Sequence, residues 1–581
     1  MNNKPLDPAY LRQQIVGVDS TFETPFGERL MTYCDYTASG RCLKFVESYL
    51  QSLQKIYANT HTEDDISGRS MSQLLHEAEE SIKKSVNAGP NGRIIACGTG
   101  ATGAIDKLQQ LIGVTLPPAT RKNICEMLAG PEATVSRENI EEIFNKRQPV
   151  VFIGPYEHHS NEISWRESLA TTIEVQMDPS GNIDLNHLEE LLMEPAYQHR
   201  LRIGSFSAAS NVTGMRTDVR SIASLLHAHD AIACFDYAAC APYVEIDMNP
   251  EPISDEDPSI DAIFVSPHKF LGGPGSSGIL VFNQRIYHRE LPPSVSAGGT
   301  VDYVGIDTQD FISNIEEREK AGTPGVLQTL KAGLVFQIKD RIGVKRIGER
   351  ERELTERAFS RWADNDNIEI LGNPDPTQRV GIISFNIKNP NGGYLHHKFV
   401  TALLNDLFGI QSRAGCSCAG PYGHRLLDID HDTSERYRDA VQHGYCGMKP
   451  GWCRVGLHWV MDDAEADYVV DAVLFIAHHG HLFLALYDFD LCSGTWTHKH
   501  GSITLQTFSL DAALDSDDTE PAVLTELSLK QLYDQYMTEA NRWVEKLKSN
   551  ASQPLETLEG ELGELQFFSL PVNACSEQEL H

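Results

Sequence analysis

The sequence SPHKFLGGPGSSG, residues 266–278, decides the fold of this chain. The apolar run 263–265 leads directly into it, and a second apolar run, 279–282, follows it. Short apolar runs bounded by turn residues predict buried strands, and the five glycines and prolines at 272–278 predict a tight turn between them. Lys269 is therefore predicted at the end of a buried strand, where a glycine-rich turn holds it in place.

A lysine in this position is suited to Schiff-base chemistry, which implies the cofactor pyridoxal 5′-phosphate (PLP). A PLP site also needs a carboxylate near the pyridine nitrogen, an anion cradle for the phosphate and an aromatic face against the ring. An arginine usually binds the carboxylate of the substrate. A solvated surface lysine is the alternative, which the flanking strand, His268 and the glycine turn argue against, and the remainder of the sequence has to supply the other groups.

Composition limits the classes of function. The 581 residues predict more than one domain, and 49 Lys and Arg against 81 Asp and Glu give a net charge of −32. This charge opposes nucleic acid or an anionic membrane as a partner. Residues 1–10 lack the apolar core of a signal peptide. The sequence contains no run of 18 apolar residues, so no membrane span is expected. The twelve cysteines are expected to be reduced thiols in the cytoplasm rather than a disulfide framework.

The order of apolar runs predicts an α/β fold. Between about residues 90 and 330 strand and helix patterns alternate, which is typical of a mostly parallel sheet with helices on both faces. Beyond residue 330 the pattern changes to that of a smaller α+β domain. The predicted strands are 93–96, 150–153, 202–206, 232–235, 380–387 and 453–457, and the predicted helices are 104–112, 219–229, 343–364 and 463–477.

Four parts are predicted along the chain. Residues 1–60 form an N-terminal segment that joins the small domain, and residues 61–330 form the PLP-binding large domain. Residues 331–500 form the small C-terminal domain, and residues 501–581 form a C-terminal extension. In the extension, apolar residues recur at helical spacing from 529 to 547, whereas 551–581, without Lys or Arg, is expected to be loosely ordered.

Two segments of the large domain offer the carboxylate and the anion cradle. Asp236 ends the run 232–235, and a carboxylate at the carboxyl end of such a strand projects into the crevice where α/β sheets bind ligands. A turn-capping aspartate is the alternative. The sequence GTGATG at 98–103 lies between a strand and a helix. The backbone N–H groups of Ala101 and Thr102 and the Thr102 hydroxyl are suited to bind phosphate at the positive end of that helix.

Two further segments offer an aromatic face and a nucleophile. His158, in EHHSN at 157–161, follows the strand 150–153, where a neutral imidazole can lie flat on a pyridine ring; a surface histidine is the alternative. Arg413 begins RAGCSCAGP at 413–421. Cys416 and Cys418 there allow three interpretations: a metal-binding pair, structural thiols, or one nucleophilic thiolate. No ligand pair with metal spacing lies nearby, so no metal site is predicted.

Five of these motifs together resemble one enzyme family. They are EHHSN at 157–161, SNVTG at 210–214, SPHK at 266–269, AGTP at 321–324 and R-x-G-x-x-C-A at 413–419. Their order resembles that of the class V aminotransferase-like PLP enzymes of fold type I. Within that family the chain is most similar to the cysteine desulfurases and selenocysteine lyases, over roughly residues 30–480.

The resemblance implies a role for each cofactor residue. Lys269 would bond to PLP, Asp236 would pair with the pyridine nitrogen, and Asn211 would bind near the phenolic oxygen. His158 would stack on the ring, with His159 as the substitute. The phosphate would be held by Ala101, Thr102, Ser266 and His268. Thr323 would reach the phosphate of a neighbouring subunit, which implies a homodimer with shared active sites.

The resemblance also implies a reaction. Arg413 would bind the substrate carboxylate, and Cys418 aligns with the cysteine that forms a persulfide, so L-cysteine would be converted to L-alanine and the sulfur passed to a protein acceptor. Two departures keep other activities open: Ala239 replaces a glutamine common in the family, and Cys416 and Ser417 occupy positions that are often histidine. The alternatives are a class V aminotransferase, epimerase or C–S or C–N lyase, including selenocysteine lyase, without a persulfide, or a non-catalytic scaffold.

Overall fold

The structure is a computed structural model that describes residues 6–60, 62, 64–128, 146–252, 256–501, 526–548 and 554–572. Contacts divide the chain into two compact units. The first unit consists mainly of Thr37–Gly348, and the second of Asp7–Tyr36 and Glu349–His581. Compared with the predicted parts, residues 37–60 and 331–348 belong with the large domain. The described segments of the C-terminal extension belong with the small one.

One large sheet organises the first unit. Its neighbouring strands run parallel, except that Gly278–Asn283 is antiparallel to the strand on either side. The predicted mostly parallel α/β fold is confirmed. In spatial order the seven described strands are Gly92–Cys97, Gly278–Asn283, Ala262–Val265, Ile232–Asp236, Arg202–Ser207, Val150–Ile153 and Thr171–Glu174.

The central strands are apolar along their whole length because both faces of a parallel sheet are covered. Every residue of Val150–Ile153 and of Ala262–Val265 is buried. Aspartates fix where several helices begin; for example, the Asp218 side chain accepts a hydrogen bond from Ser221 N at the start of Val219–Ala228. The longer helices of this unit are Lys44–Leu53, Ile66–Ser85, Gly100–Leu111, Pro118–Leu128, His159–Arg166, Leu185–Met193, Val219–Ala228 and Val326–Ile342.

Short elements complete the first unit. The strands Val301–Val304 and Gln309–Phe311 form a hairpin, followed by the helix Ile315–Arg318. Single 3₁₀ turns occur at Gln54–Ile56, Pro267–Lys269 and Gln284–Ile286. The helix predicted at 343–364 is confirmed as Val344–Trp362; it begins directly after Gly343, which has a φ of +88°, and from Glu349 onward it belongs to the second unit.

A small antiparallel sheet organises the second unit, in the order Ile368–Ile370, Ile382–Ile387, Trp452–Gly456 and Arg413–Gly415. The predicted smaller α+β pattern agrees with this arrangement. Outside that sheet, Ile410–Gln411 pairs with Thr32–Tyr33. The remaining described elements before residue 500 are the hairpins Thr21–Thr24 with Gly27–Leu30 and Tyr487–Asp490 with Thr495–His498, the helices Pro8–Gln14, His397–Phe408, Gly420–Leu426, His431–Gln442 and Asp463–Phe483, and the 3₁₀ turns Pro376–Gln378, Cys446–Met448 and Leu484–Leu486.

The C-terminal extension forms part of this second unit. The predicted apolar stripe is confirmed as one face of the helix Glu526–Leu547, where the Tyr533 ring stacks on that of Tyr468 at 4.3 Å. The expectation of loose order is wrong for residues 554–572, which contain the strands Leu555–Glu556 and Leu570–Pro571 and the helix Gly560–Leu565. Leu565, Phe568 and Leu570 of this segment are buried, and Leu570 is 0% exposed.

One described helix is long and apolar enough to cross a membrane when judged by length and composition alone. It spans Asp463–Leu486, with a mean hydropathy of 1.7 over its most apolar window. In the structure 61% of that window is buried inside the protein. A helix that is apolar on most of its sides is also typical of a protein core, so the signal is weak evidence for a membrane span.

The antiparallel strand of the large sheet gives a test of packing. A Cβ atom at Gly278 would lie 2.1 Å from the carbonyl oxygen of Gly100, which is backbone and cannot rotate away. We expect Gly278→Ala to lower the melting temperature by several degrees, because overpacking of this kind costs about 1–3 kcal/mol or more. Gly298→Ala is the matched control, since nothing lies within 4 Å of a Cβ there. Equal melting temperatures for the two variants would contradict this packing.

Candidate active site

Glycine geometry fixes the turn that carries Lys269. The turn Pro267–Lys269 follows the strand Ala262–Val265, and the backbone then folds back as Phe270 N donates to Pro267 O at 3.0 Å. A Cβ atom at Gly273 would lie 1.9 Å from Pro267 O, and Gly272 has a φ of +86°. Only glycine permits the close contact at residue 273, and the positive φ at residue 272 also favours glycine. These two requirements explain the glycine-rich sequence after the lysine.

A second segment, residues 39–41, anchors the same turn from the side. Gly40 N donates to His268 O at 2.9 Å, and Gly272 N donates to Arg41 O at 2.7 Å. A Cβ atom at Gly40 would lie 1.9 Å from Phe270 O. The sequence analysis did not predict this role, because only the folded chain brings residues 39–41 beside the lysine turn.

Asp236 is a buried carboxylate, and the positive charge of Lys269 is close enough to affect its pKa. It is the last residue of the strand Ile232–Asp236, it is 4% exposed, and Ala238 N donates to its Oδ1 at 2.8 Å. Burial raises the pKa of Asp236, while the positive charge of Lys269 acts to lower it. A buried carboxylate of this kind is stabilised by a cationic partner.

The glycine-rich loop at 98–103 touches the lysine turn. Ala101 N donates to Ser266 Oγ at 2.8 Å, at the start of the helix Gly100–Leu111. Gly100 has a φ of +58°, and a Cβ atom there would lie 2.8 Å from Ser266 Oγ and 3.5 Å from the His268 ring. The loop, the serine and the histidine therefore form one cradle of N–H and O–H donors.

His268 in this cradle is neutral at physiological pH. Burial lowers its pKa to about 4, and the nearby charge of Lys269 lowers it further. A neutral imidazole can act as a single N–H donor. Thr102 lies on the same helix end, where its hydroxyl is 2.7 Å from the Ser160 hydroxyl, so the cradle also adjoins the histidine segment at 158–160.

His158 is held by its own backbone environment. It precedes the helix His159–Arg166, and its Nδ1 accepts a hydrogen bond from Ser160 N at 3.1 Å. This bond fixes the orientation of the ring. The His159 ring lies 6.3 Å away at 49°, so the two imidazoles present different faces.

Glu157, which sequence reasoning missed, anchors the His158 segment. It is 3% exposed and accepts hydrogen bonds from Gly154 N, from Asn161 Nδ2 and from both the backbone N–H and the hydroxyl of Ser207. Burial raises the pKa of Glu157 to about 7, although the bonds from Ser207 and Asn161 lower it. Glu157 thus joins the ends of two neighbouring strands. A glutamate beside a double histidine was a visible signal, but its burial was not.

Asn211 and Thr323 are placed differently. Asn211 is 7% exposed in the loop after the strand Arg202–Ser207, and this loop starts beside Asp236, because Ala208 N donates to Asp236 O at 2.8 Å. Thr323 is exposed, and its hydroxyl accepts a 3.4 Å hydrogen bond from Asn59 Nδ2.

The candidate residues of the first unit share one edge of the sheet. His158, Asn211, Asp236 and Lys269 each end or follow a parallel strand, and carboxyl ends of parallel strands line the ligand crevice of such sheets. These groups suit PLP. A buried carboxylate is available for the pyridine nitrogen, N–H and O–H donors next to Gly100 are available for the phosphate, and Lys269 is near the carboxylate.

In the second unit, Asp35 bridges two arginines. Its Oδ2 accepts from Arg413 Nε at 2.9 Å, and its Oδ1 accepts from Arg454 Nη2 at 2.8 Å. The Arg454 side chain is buried, whereas that of Arg413 is 46% exposed. The bond to Nε fixes the Arg413 guanidinium, and its exposure makes it accessible to a ligand carboxylate. Asp35 was not predicted, because only the folded chain brings residues 35, 413 and 454 together.

Cys418 lies on a strained turn. Ser417 and Cys418 have φ values of +49° and +59°, two consecutive non-glycine residues in the left-handed region. Such a conformation costs roughly 1–2 kcal/mol per residue and clusters at functional sites. The thiol of Cys418 is exposed, Cys416 is half-buried, and Ala419 behind them is fully buried.

Three cysteines in or beside strands of the large sheet are core thiols, as predicted. Cys97, Cys234 and Cys240 are buried, and burial raises the pKa of Cys97 and of Cys240 to about 12. Such thiols remain protonated and inert. Within the described part of the chain, no group of three His, Cys, Asp or Glu side chains is arranged to hold a metal ion.

Comparison with known proteins identifies the family. The sequence model of the aminotransferase class-V family matches residues 134–469, more than half of the chain. The chain belongs to the aminotransferase class-V family. The resemblance seen in its motifs is confirmed, and this family consists of enzymes that depend on PLP.

Two relatives of this chain share one description. A probable cysteine desulfurase of Halalkalibacterium halodurans is 28% identical over 48% of this chain, and the match spans 64% of the length of that relative. A probable cysteine desulfurase of Staphylococcus aureus (strain Mu50) is 26% identical over 68% of this chain and 84% of its own length.

Solved structures agree on the fold. The apo cysteine desulfurase of Thermococcus onnurineus NA1 has a TM-score of 0.61 at 20% identity, over 81% of this chain and 98% of that chain. A cysteine desulfurase of Escherichia coli has a TM-score of 0.58 at 18% identity, over 80% of this chain and 97% of its own. The predicted fold type I is therefore confirmed.

The Asp35 bridge gives a prediction about stability. Removing the charge with Asp35→Asn leaves the buried Arg454 without its carboxylate, and breaking a buried ion pair costs about 3 kcal/mol or more. We expect a clearly lower melting temperature by calorimetry. Asp432→Asn is the matched control, because the side chain of Asp432 is fully exposed. If both variants melt with the unmodified protein, the bridge does not stabilise this unit.

Proposed function

We propose that this chain is a PLP-dependent cysteine desulfurase, which converts L-cysteine to L-alanine and keeps the sulfur as a persulfide on Cys418. The observation that carries the proposal is the exposed Cys418 thiol on a turn with two left-handed residues, at the position of the family's R-x-G-x-x-C-A pattern. Membership of the class-V family and similarity to probable cysteine desulfurases support it.

We assign the cofactor to the crevice of the large sheet. PLP, when bound, supplies an electron sink for the pair released at the substrate Cα. Lys269 would hold it covalently, Asp236 would keep its pyridine nitrogen protonated, and His158 and Asn211 would contact the ring and the phenolic oxygen. The proposed phosphate ligands are Ala101, Thr102, Ser266 and His268, with Thr323 of the partner subunit.

The support for these assignments is chemical. The neutral His268 and the hydroxyls of Thr102 and Ser266 are hydrogen-bond donors suited to an anion. Burial raises the pKa of Asp236, and a protonated pyridine nitrogen beside it would stabilise its charged form. The Glu157 anchor limits the freedom of His158, so its ring would be held ready for stacking.

The reaction then divides among three side chains of this protein. Arg413, fixed through Nε by Asp35, would bind the substrate carboxylate. Lys269 Nζ would take the Cα proton and return a proton to the substrate. Cys418 Sγ, as a thiolate, would attack the substrate sulfur; an S–S bond forms, the C–S bond breaks, and its electron pair stays with the carbon that becomes the methyl group of alanine.

The exposed position of Cys418 suits transfer of its sulfur to a second protein, which would attack the outer sulfur of the persulfide with a thiolate. Cys416 is half-buried, and we assign it no step. The cytoplasm remains the predicted location.

The direct test is to measure alanine and sulfide released from cysteine by purified protein. Cys418→Ala is expected to lower alanine release by about 100-fold or more while keeping the visible absorption of lysine-bound PLP, because only the nucleophile is lost. Lys269→Ala is expected to lose both the reaction and that absorption. Cys416→Ala is the matched control and should retain most activity.

The outcomes separate the alternatives. Undiminished alanine release by Cys418→Ala would remove the persulfide from the mechanism. Turnover of an amino acid that contains neither sulfur nor selenium would instead favour another class-V activity. Absence of the visible absorption in the unmodified protein supplied with PLP would favour a scaffold.

We also propose that the chain acts as a homodimer with shared active sites. The support is an exposed apolar surface on the hairpin of the first unit, where Tyr303 and Val304 are about two-thirds exposed and Ile306 is fully exposed. Leu291 and Val295, just before the hairpin, are also exposed. Several exposed apolar residues on one segment are typical of protein interfaces. A second copy of the chain is the partner that the predicted role of Thr323 requires.

A charged residue in this surface should weaken the dimer. Ile306→Lys is expected to shift the sedimentation coefficient toward that of a monomer at micromolar concentration and to reduce activity in proportion. Met127→Lys is the matched control, because it alters another exposed apolar residue, on the helix Pro118–Leu128. A dimer of unchanged stability in Ile306→Lys would place the interface elsewhere.

A further inference from the structure

Two exposed cysteines outside the proposed chemistry lie next to each other in the second unit. Cys446 begins the turn Cys446–Met448, shortly after the helix His431–Gln442. Cys492 lies in the turn of the hairpin Tyr487–Asp490 with Thr495–His498. Both thiols are exposed, and Cys446 N donates a hydrogen bond to Cys492 O at 3.1 Å.

The two backbones approach each other closely on both sides of this bond. Gly447 N donates to Leu491 O at 2.8 Å, and a Cβ atom at Gly447 would lie 2.7 Å from the same oxygen. Gly494 has a φ of +68°, and a Cβ atom there would lie 2.9 Å from the Cα of Gly447. Two glycines therefore allow a contact that side chains would prevent, and the cysteines lie within it.

Hydrogen bonds hold each side of the contact in place. Cys492 N and the Ser493 hydroxyl both donate to the Asp490 carboxylate, at 2.9 and 2.7 Å, which closes the hairpin turn. Lys398 Nζ donates to Ser493 O at 3.0 Å, and the Nε2 of the buried His396 lies 3.1 Å from Gly447 O. His396 and Lys398 lie two residues apart in the chain, so one segment holds both sides of the contact.

We propose that Cys446 and Cys492 form a reversible disulfide. The bonded N and O atoms lie about 1.5 and 2.4 Å from their own α-carbons, so the hydrogen bond limits the separation of the two α-carbons to about 7 Å. A disulfide spans roughly 4.4–6.8 Å between α-carbons, so this limit is compatible with the bond. Both sulfurs are exposed, so a small oxidant can reach them.

The oxidant is a low-molecular-weight disulfide of the glutathione class. The thiolate of one cysteine attacks it, forms a mixed disulfide and releases one small thiol. The thiolate of the second cysteine then attacks the protein sulfur of the mixed disulfide and releases the other small thiol. The two protein thiols are oxidised by two electrons, the small disulfide is reduced by two, and the two protons pass to the released thiols.

The crosslink would close a long loop within the second unit. The loop from Cys446 to Cys492 contains the strand Trp452–Gly456 and the helix Asp463–Phe483. The strand pairs directly with the strand that begins with Arg413. Closing such a loop constrains the unfolded chain, so oxidation would stabilise the sheet that supports Arg413. In a reducing cytoplasm the bond would be transient, as disulfides there usually are.

The test uses the full-length protein equilibrated with glutathione redox buffers, then alkylated and mapped by mass spectrometry without reduction. We expect the peptides that contain Cys446 and Cys492 to appear as one species, lighter by two hydrogens and restored by dithiothreitol. Oxidation should raise the melting temperature by about 5 °C. Cys446→Ser and Cys492→Ser should each abolish this rise and leave a glutathione adduct on the remaining cysteine.

Cys125→Ser is the matched control and should keep both the crosslink and the rise in melting temperature. Pairing of either cysteine with a different one, or separate glutathione adducts on both in the unmodified protein, would overturn the proposal. An unchanged melting temperature would refute the stabilising role. The readouts are mass and melting temperature, so they do not depend on desulfurase activity.

Discussion

The structure depends most on close contacts between backbones around Lys269. Gly40, Gly273 and Gly278 each lie where a single methyl group would come within about 2 Å of a carbonyl oxygen. These contacts position the turn between two strands of the large sheet. The proposed phosphate site also depends on them, because the loop at Gly100 is the neighbour that Gly278 and Ser266 contact. The position of Lys269 therefore depends on glycines, whose lack of a side chain permits these close backbone contacts.

Buried charge is the second organising feature. Asp236 and Glu157 lie at the carboxyl ends of the large sheet, where burial raises the pKa of each. Their surroundings differ. Glu157 accepts hydrogen bonds from four donors and joins two strand ends, whereas Asp236 has the positive charge of Lys269 nearby. In the second unit Asp35 plays the organising part, since one carboxylate holds a buried arginine and an accessible one.

Much of this could be predicted from the sequence. Buried parallel strands are nearly pure apolar runs, so their positions and the residues at their ends, Asp236 and Lys269, are visible along the chain. Contacts between distant segments are not: Asp35 lies more than 370 residues from Arg413, and nothing local marks the pair. The order of residues 554–572 was also hidden. Its composition is that of a polar tail, but Leu565 and Leu570 are buried, and Arg436 binds Glu561 and Glu564.

The single antiparallel strand of the large sheet has a consequence for folding. Gly278–Asn283 returns directly beside Ala262–Val265, so the lysine turn closes a hairpin of neighbouring residues instead of a long crossover. Contacts between segments close in sequence form with a small loss of chain entropy and therefore early. The parallel pairs of the same sheet join residues that lie further apart, from 21 positions between Val150 and Thr171 to 52 between Val150 and Arg202. We expect the lysine turn to be among the first parts of the large sheet to become native, so that a cofactor arriving later would find it already formed.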